Sequence, residues 1–240
     1  MKYLITLGSL ILFYTPGRGQ QVVDISKSDA QVTSSTDMMT GVNGLAFDNS
    51  KYVKVTSGSP YFQDEFMKAA LYDGDGSRYT AGQVRLNLLS NQIHYMDASG
   101  REMISTSPIK RVLLTDPGTS ETYTFILGDQ LGLPDKELNS AWFQVLVNGP
   151  VSLVLREKKS IHDKLSYATA TTEEDIPTVS FYYVKMNGSF TEVKSWQDLQ
   201  TLLADKKDAL TQFIHDHHLK GRSPSEYAQV IGFYNGTTKP

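Results

Sequence analysis

The chain of 240 residues contains no cysteine, which removes disulfides, thiolate metal sites and cysteine nucleophiles together. It is also short of positive charge. Its 23 Lys and Arg stand against 26 Asp and Glu, and a leader carrying off Lys2 and Arg18 would leave 21 (23 − 2) against 26, a net charge of −5. That balance is poor for gripping a phosphate backbone, so nucleic acid is not expected as a partner. No G-x-S-x-G elbow, H-E-x-x-H, P-loop or G-x-G-x-x-G occurs, so no catalytic residue and no cofactor is assigned. Beyond the first twenty residues no apolar run is long enough to cross a membrane, so no transmembrane segment is expected in the mature chain. What remains, 40% hydrophobic and 20% charged, has the composition of a folded chain of one sizeable domain or two small ones.

The first nineteen residues have a composition of their own. Lys2 is followed by a twelve-residue apolar run, Tyr3 to Tyr14, then Pro16, with Gly17 and Gly19 at the minus-three and minus-one positions of a cut after Gly19. That pattern predicts a cleaved secretory signal over 1–19 and a periplasmic or secreted location. Residues 20–43, rich in Ser, Thr, Asp and Gln, read as a loosely ordered arm.

From 44 to 194 the pattern is that of strands. "QVRLNLL" alternates Val84, Leu86 and Leu88 with Arg85 and Asn87; Ser90-Asn91 turns it into "QIHYM", where Ile93 and Tyr95 face one way and His94 the other. Further strands are expected at Tyr52, Lys68, Glu102, Arg111, Thr122, Trp142, Val151, Ser180 and Ser189, the last pair joined by Asn187-Gly188, a two-residue turn needing positive φ at both positions. Turn signals about every 8–12 residues and no helix between strands predict a mainly β (α+β) fold: an antiparallel meander forming a sandwich or open barrel.

From 195 to 236 the period becomes helical. Ser195 with Asp198 resembles a capping box; Trp196, Leu199, Leu203, Leu210 and Ile214 form one stripe, with a break at Asp205. Gly221 stands where a left-handed cap belongs, and Ser223, Pro224 and Glu226 start another helix with Tyr227, Val230, Ile231 and Tyr234 inward. This helical unit is expected to pack on the sheet.

Two stretches carry candidate chemistry. "QFIHDHHLKG" holds His215, His217 and His218. At 100° per residue His217 falls on the apolar side, Asp216 opposite, and only His215 and His218 can share a ligand. Two imidazoles are fewer than a zinc site needs, unless His94 or His162 adds a third, so no metal is assigned and His215 and His218 stay as weak candidates. The helix end offers a local account of the same residues. "DGDGSRYT" sets Asp73, Asp75 and Ser77 at alternate positions but has Arg78 and Val84 where a calcium loop needs Gly and Glu, so it reads as a hairpin turn. Glu173, Glu174 and Asp175 lie in a Thr-rich stretch that reads as a solvated loop. The second stretch, "SGSPYFQDEFMKA", interleaves Tyr61, Phe62 and Phe66 with Asp64 and Glu65 after a Gly-Ser-Pro turn. Aromatics of this kind usually plug the core; as a recognition loop, Tyr61, Phe62, Asp64 and Glu65 would supply contact area and charge for a polar or basic partner.

These stretches, "GSPYFQDEFMKA", "VRLNLLSNQIHYMDASGREMI", "PIKRVLLTD", "WFQVLVNGPVSL" and the closing "LADKKDALTQFI" with "VIGFYN", together resemble a family of exported Bacteroidota proteins with a G-S-P-Y-F-x-D-E motif. The resemblance spans about Gly58 to Asn235 and implies an envelope or secreted location without an activity, cofactor or catalytic residue. The expectation is a non-enzymatic binding or structural module of the cell envelope whose partner is an envelope protein or glycan. The alternative is a metal- or carboxylate-dependent hydrolase acting on envelope glycan or peptide.

Overall fold

The structure is a computed structural model that describes residues 43–47, 55–133, 135–166 and 171–236. The expected signal, nearly all of the arm, and the start of the strand expected at Tyr52 lie outside the described residues.

Fourteen strands are described: β1 (Gly44–Ala46), β2 (Val55–Gly58), β3 (Met67–Asp73), β4 (Arg78–Asn87), β5 (Gln92–Met96), β6 (Glu102–Ser105), β7 (Ile109–Thr115), β8 (Thr122–Leu127), β9 (Trp142–Val147), β10 (Ser152–Lys159), β11 (His162–Ser166), β12 (Thr171–Ile176), β13 (Thr178–Met186) and β14 (Ser189–Val193). Eleven form one antiparallel sheet in the order β1-β6-β5-β4-β3-β7-β8-β9-β10-β13-β14. β1 and β14 each have a single neighbour, so the sheet is open rather than closed. The near-sequential order follows from short turns. Asn187 and Gly188 take φ of 51° and 80°, the positive pair that a two-residue hairpin needs to match strand twist.

The stretch read as a solvated loop at Glu173–Asp175 is instead part of β12, which pairs antiparallel with β11 and parallel with β2 in a small second sheet. Its Thr-rich, acidic sequence has no alternation of apolar residues to mark a strand; backbone pairing alone makes it one. Gly58, at the end of β2, runs so close to β12 that a Cβ there would sit 2.1 Å from the Ile176 carbonyl.

Period-two alternation sets up the core. On one face, Leu71 lies opposite Val112 and Val112 opposite Phe125, in a row with Val84, Leu86, Ile93, Tyr95 and Trp142. On β10, Leu153 and Val154 point to opposite faces. Leu153 and Val184 meet the helices α2 (Trp196–Leu202), α3 (Lys207–Asp216) and α4 (Pro224–Tyr234) through Leu199, Leu203, Leu210, Tyr227, Val230 and Ile231. Val154 and Tyr183 instead meet Ile126, Phe143, Leu131 and Leu133, beside the short helix α1 (Lys136–Asn139). The expected helix starts are present. Ser195 accepts from the Asp198 N–H, and Ser223 and Glu226 form a complete capping box. The Asn235 side chain then accepts from Val151 N at 3.1 Å and donates to Val151 O at 2.8 Å, tying the end of α4 to β10.

Candidate functional site

The loop after Gly58 is stitched to the hairpin of β4 and β5. The Pro60 carbonyl accepts from Leu88 N at 2.8 Å and Leu89 N at 3.2 Å, Phe62 N donates to Leu86 O at 2.8 Å, and Tyr61 bridges Asn87. Asn87, fully buried, accepts from Leu89 N and Ser90 N and so shapes the turn that the loop rests on. From the other side Lys159 donates to Ser59 O at 2.9 Å, and the Ser59 hydroxyl bonds Asp64 and accepts from Tyr61 N. Burial lowers the pKa of Lys159 while the Glu157 and Asp64 carboxylates oppose that shift, as expected for an ammonium drawn off the surface to reach a carbonyl.

Because consecutive residues here are extended, the two rings part. Phe62 turns into the main core, edge-on to Tyr123 and Phe125 at 5.0 and 4.9 Å. Tyr61 turns to the opposite face of the sheet and is 5% exposed. The aromatic half of the expected recognition loop is therefore its anchor. Asp64 and Glu65 are exposed at the tip.

Beneath Tyr61 lies a polar network that no motif announces. Arg85 and His94 are cross-strand partners in the β4–β5 hairpin, and Glu102 reaches both from β6. Arg85 makes a fork to Glu102, with Nε–Oε1 3.0, Nη2–Oε1 2.8 and Nη2–Oε2 2.7 Å. The guanidinium also lies 3.7 Å from the centre of the Tyr61 ring and 4.7 Å from that of Phe66, so one cation serves a carboxylate and two aromatic faces. The Nδ1 of His94 is 2.8 Å from Glu102 Oε1 and 3.5 Å from the Tyr61 hydroxyl. A carboxylate only accepts, so the imidazole proton sits on Nδ1 and Nε2 carries a lone pair. His94 is fully buried, its Nε2 has no hydrogen-bond partner among the described residues, and the rings of Phe47 and Tyr61 stand edge-on to it at 4.4 and 5.4 Å. Burial pulls the imidazole below its ordinary pKa; Glu102 pulls the other way and Arg85 adds to the lowering. The alternation of "QVRLNLL" and "QIHYM" around Ser90-Asn91 contained the signal, since folding that hairpin places Arg85 opposite His94.

The histidine stretch has a different character. α3 ends in a Schellman motif: Leu219 N donates to Ile214 O at 3.0 Å and His218 N to His215 O at 3.1 Å, with His218 at φ 52°. The cap of α3 is thus His218, because the pairing of Ile214 with Leu219 closes the helix there; the expected Gly221 is left-handed too, at φ 69°, but lies three residues beyond that end. His217, expected to face the core, is exposed and rests its ring on Phe213 at 4.3 Å. His215 and His218 do line one shallow groove of about 440 Å³, together with Trp196, Gln200, Thr211, Ile214, Leu219 and Lys220. Among the described residues no third ligand joins them. His94 is held by Glu102 and His162 lies 3.1 Å from Ser160 Oγ, and among the described residues no group of three or more His, Asp or Glu could hold a metal. Asp73 and Asp75 both accept from Ser77 N, at 2.8 and 3.1 Å, which is the bonding of a turn.

Comparison with family models, curated proteins and solved structures finds no match to this chain.

Proposed function

We propose that the protein is an exported binding module of the cell envelope, and that the 59–66 loop is its contact surface for a basic region of an envelope protein or glycan. The observation that carries this reading is the contrast within the loop. Its backbone is fixed at Ser59, Pro60 and Phe62 and its rings are sunk on both faces of the sheet, while Asp64 and Glu65 stay exposed. A charge pair on a preset backbone loses little conformational entropy on binding, and fixed exposed carboxylates favour a cationic partner. Export, and the resemblance to exported Bacteroidota proteins, belong to the same proposal.

The test compares capture from an envelope fraction by the native chain and by a Glu65→Lys variant. A partner held by the native chain, released by salt and lost with E65K, supports the reading, because exposed charge pairs are screened within about 8–10 Å at physiological salt. Equal capture by both chains rejects the loop as the surface. Turnover of envelope glycan or peptide by the purified protein would favour the hydrolase alternative. N-terminal sequencing of the exported chain checks the leader: it should begin at Gln20.

A further inference from the structure

We infer that His94 is an acid-sensitive latch, holding the 59–66 loop closed while its imidazole is neutral and releasing it when the imidazole takes a second proton. Among the described residues the geometry leaves no acceptor for that proton. Nδ1 is already committed to Glu102 at 2.8 Å, and Nε2 has no hydrogen-bond partner in a fully buried side chain. The groups facing the ring come from four elements. β4 contributes the Arg85 cation, β6 the Glu102 carboxylate, the loop the Tyr61 phenol, and the residue after β1 the neutral Phe47 ring. Glu102 is the single anion among them, and its two oxygens already receive three contacts from Arg85. An imidazolium formed here would therefore be a buried cation beside another cation, sharing one occupied carboxylate. Opening relieves it. Tyr61 and Phe47 both cover the ring, and the loop carrying Tyr61 is tied to the hairpin through Leu88 N, Leu89 N and Phe62 N and to Lys159 through Ser59 O. Swinging it out would admit water to the Tyr61 side of His94 and break the bonds to Pro60 O and Leu86 O together, leaving Leu89 N on Asn87 Oδ1.

The sign follows from burial. Because the folded imidazole is pulled below its ordinary value, the open state binds the proton first. Opening is therefore independent of pH above about 6.5 and grows as pH falls from there toward the lowered folded value, about tenfold per pH unit for one proton. If the loop is the contact surface, as proposed above, the same proton loosens the bound partner; the opening itself does not depend on that reading.

The experiment is amide exchange on the mature protein without a partner, following Phe62 and Leu88, whose N–H bonds tie the loop to the hairpin, from pH 7.5 to 5 after correction for intrinsic rates. The expected result is protection that is flat above about pH 6.5 and falls roughly tenfold per unit below it, while His94→Gln, which can still donate to Glu102 but cannot titrate, stays flat. Flat protection in the native chain, or an equal fall in H94Q, overturns the latch. Direct titration of the His94 ring nitrogens covers the case in which H94Q does not fold: a native value at or above about 6.5 also overturns it. A decalysine peptide added to the same samples separates the two proposals. Opening in acid with unchanged peptide binding would leave the latch standing and reject the loop as the surface for cations.

Discussion

The 59–66 loop and the end of α3 are both dense in chemistry-bearing side chains, yet the protein uses them in opposite ways. At the loop the polar groups Arg85, His94 and Glu102 are drawn under aromatic rings and bonded to one another, and His94 retains no exposed surface. At the end of α3, His215, Asp216, His217 and His218 all face solvent. The difference comes from the elements that carry them. A hairpin pairs residues across strands, so two alternating sequences converge on one face and bring distant groups into register. A helix end splays successive side chains by 100°, and here a left-handed cap turns the last one away again. Density in sequence is therefore a poor guide to convergence in space, and the strand pattern was the better place to seek a cluster.

If that contrast is right, the largest effect should come from breaking the network under the loop. Arg85→Ala would leave Glu102 half-buried without its fork and remove the cation from both Tyr61 and Phe66. A loss of about 3 kcal/mol is expected in urea unfolding, toward the low end for a broken buried pair because Arg85 and Glu102 keep some exposure. A loss under about 1 kcal/mol would mean that the network is ornamental. Next comes Tyr61→Ala, which removes a ring that is 5% exposed and should cost about 3 kcal/mol by lost burial and the cavity left behind. Asp216→Ala at the end of α3 should leave the urea midpoint essentially unchanged, since its bonds to Gln212 and His215 are exposed. Equal effects at Tyr61 and Asp216 would erase the contrast.

Much of this fold could be read from single segments. The alternation in "QVRLNLL", the Asn187-Gly188 turn and the Ser223-Pro224-Glu226 start each depend on neighbours in sequence, and each forms as its residues dictate. What could not be read depends on partners elsewhere. β12 forms because β2 and β11 pair with it, although its own residues look like a loop. His217 is exposed because helix α3 has ended by then, which extrapolating its period cannot foresee. The site was half legible. The loop around Tyr61 stands out by composition, but Glu102 joins it only through the register of β6 with β5, and the wedge of Phe47 only through β1.

His218 offers a finer probe of the helix end. It holds φ 52°, a conformation that costs an ordinary residue about 1 kcal/mol and glycine almost nothing. His218→Gly should relieve that cost, while the added freedom of the unfolded chain takes part of the gain back. The net expectation is a stabilisation of about 0.5 kcal/mol, read as a small rise in urea midpoint at unchanged slope. His218→Val, with a branched side chain in the same conformation, should lose about 1 kcal/mol or more. Were H218G destabilising instead, the imidazole would be making a contact in the groove beside Trp196 that offsets its strained backbone.

The smallest expected effect is none at all. Zinc, calcium or a chelator should leave the melting temperature of the mature protein unchanged, because a ligand raises it only by binding the native state more tightly than the unfolded one. In the native state His215 and His218 offer two imidazoles on one groove with no third ligand among the described residues. The unfolded chain offers the same two with more freedom to converge. Asp73 and Asp75 are likewise occupied by Ser77 N and would have to give up those bonds to hold calcium. A rise that saturates with zinc and disappears in a His215→Ala, His218→Ala double variant would overturn this, and would move the search for function from the loop at Tyr61 to the end of α3.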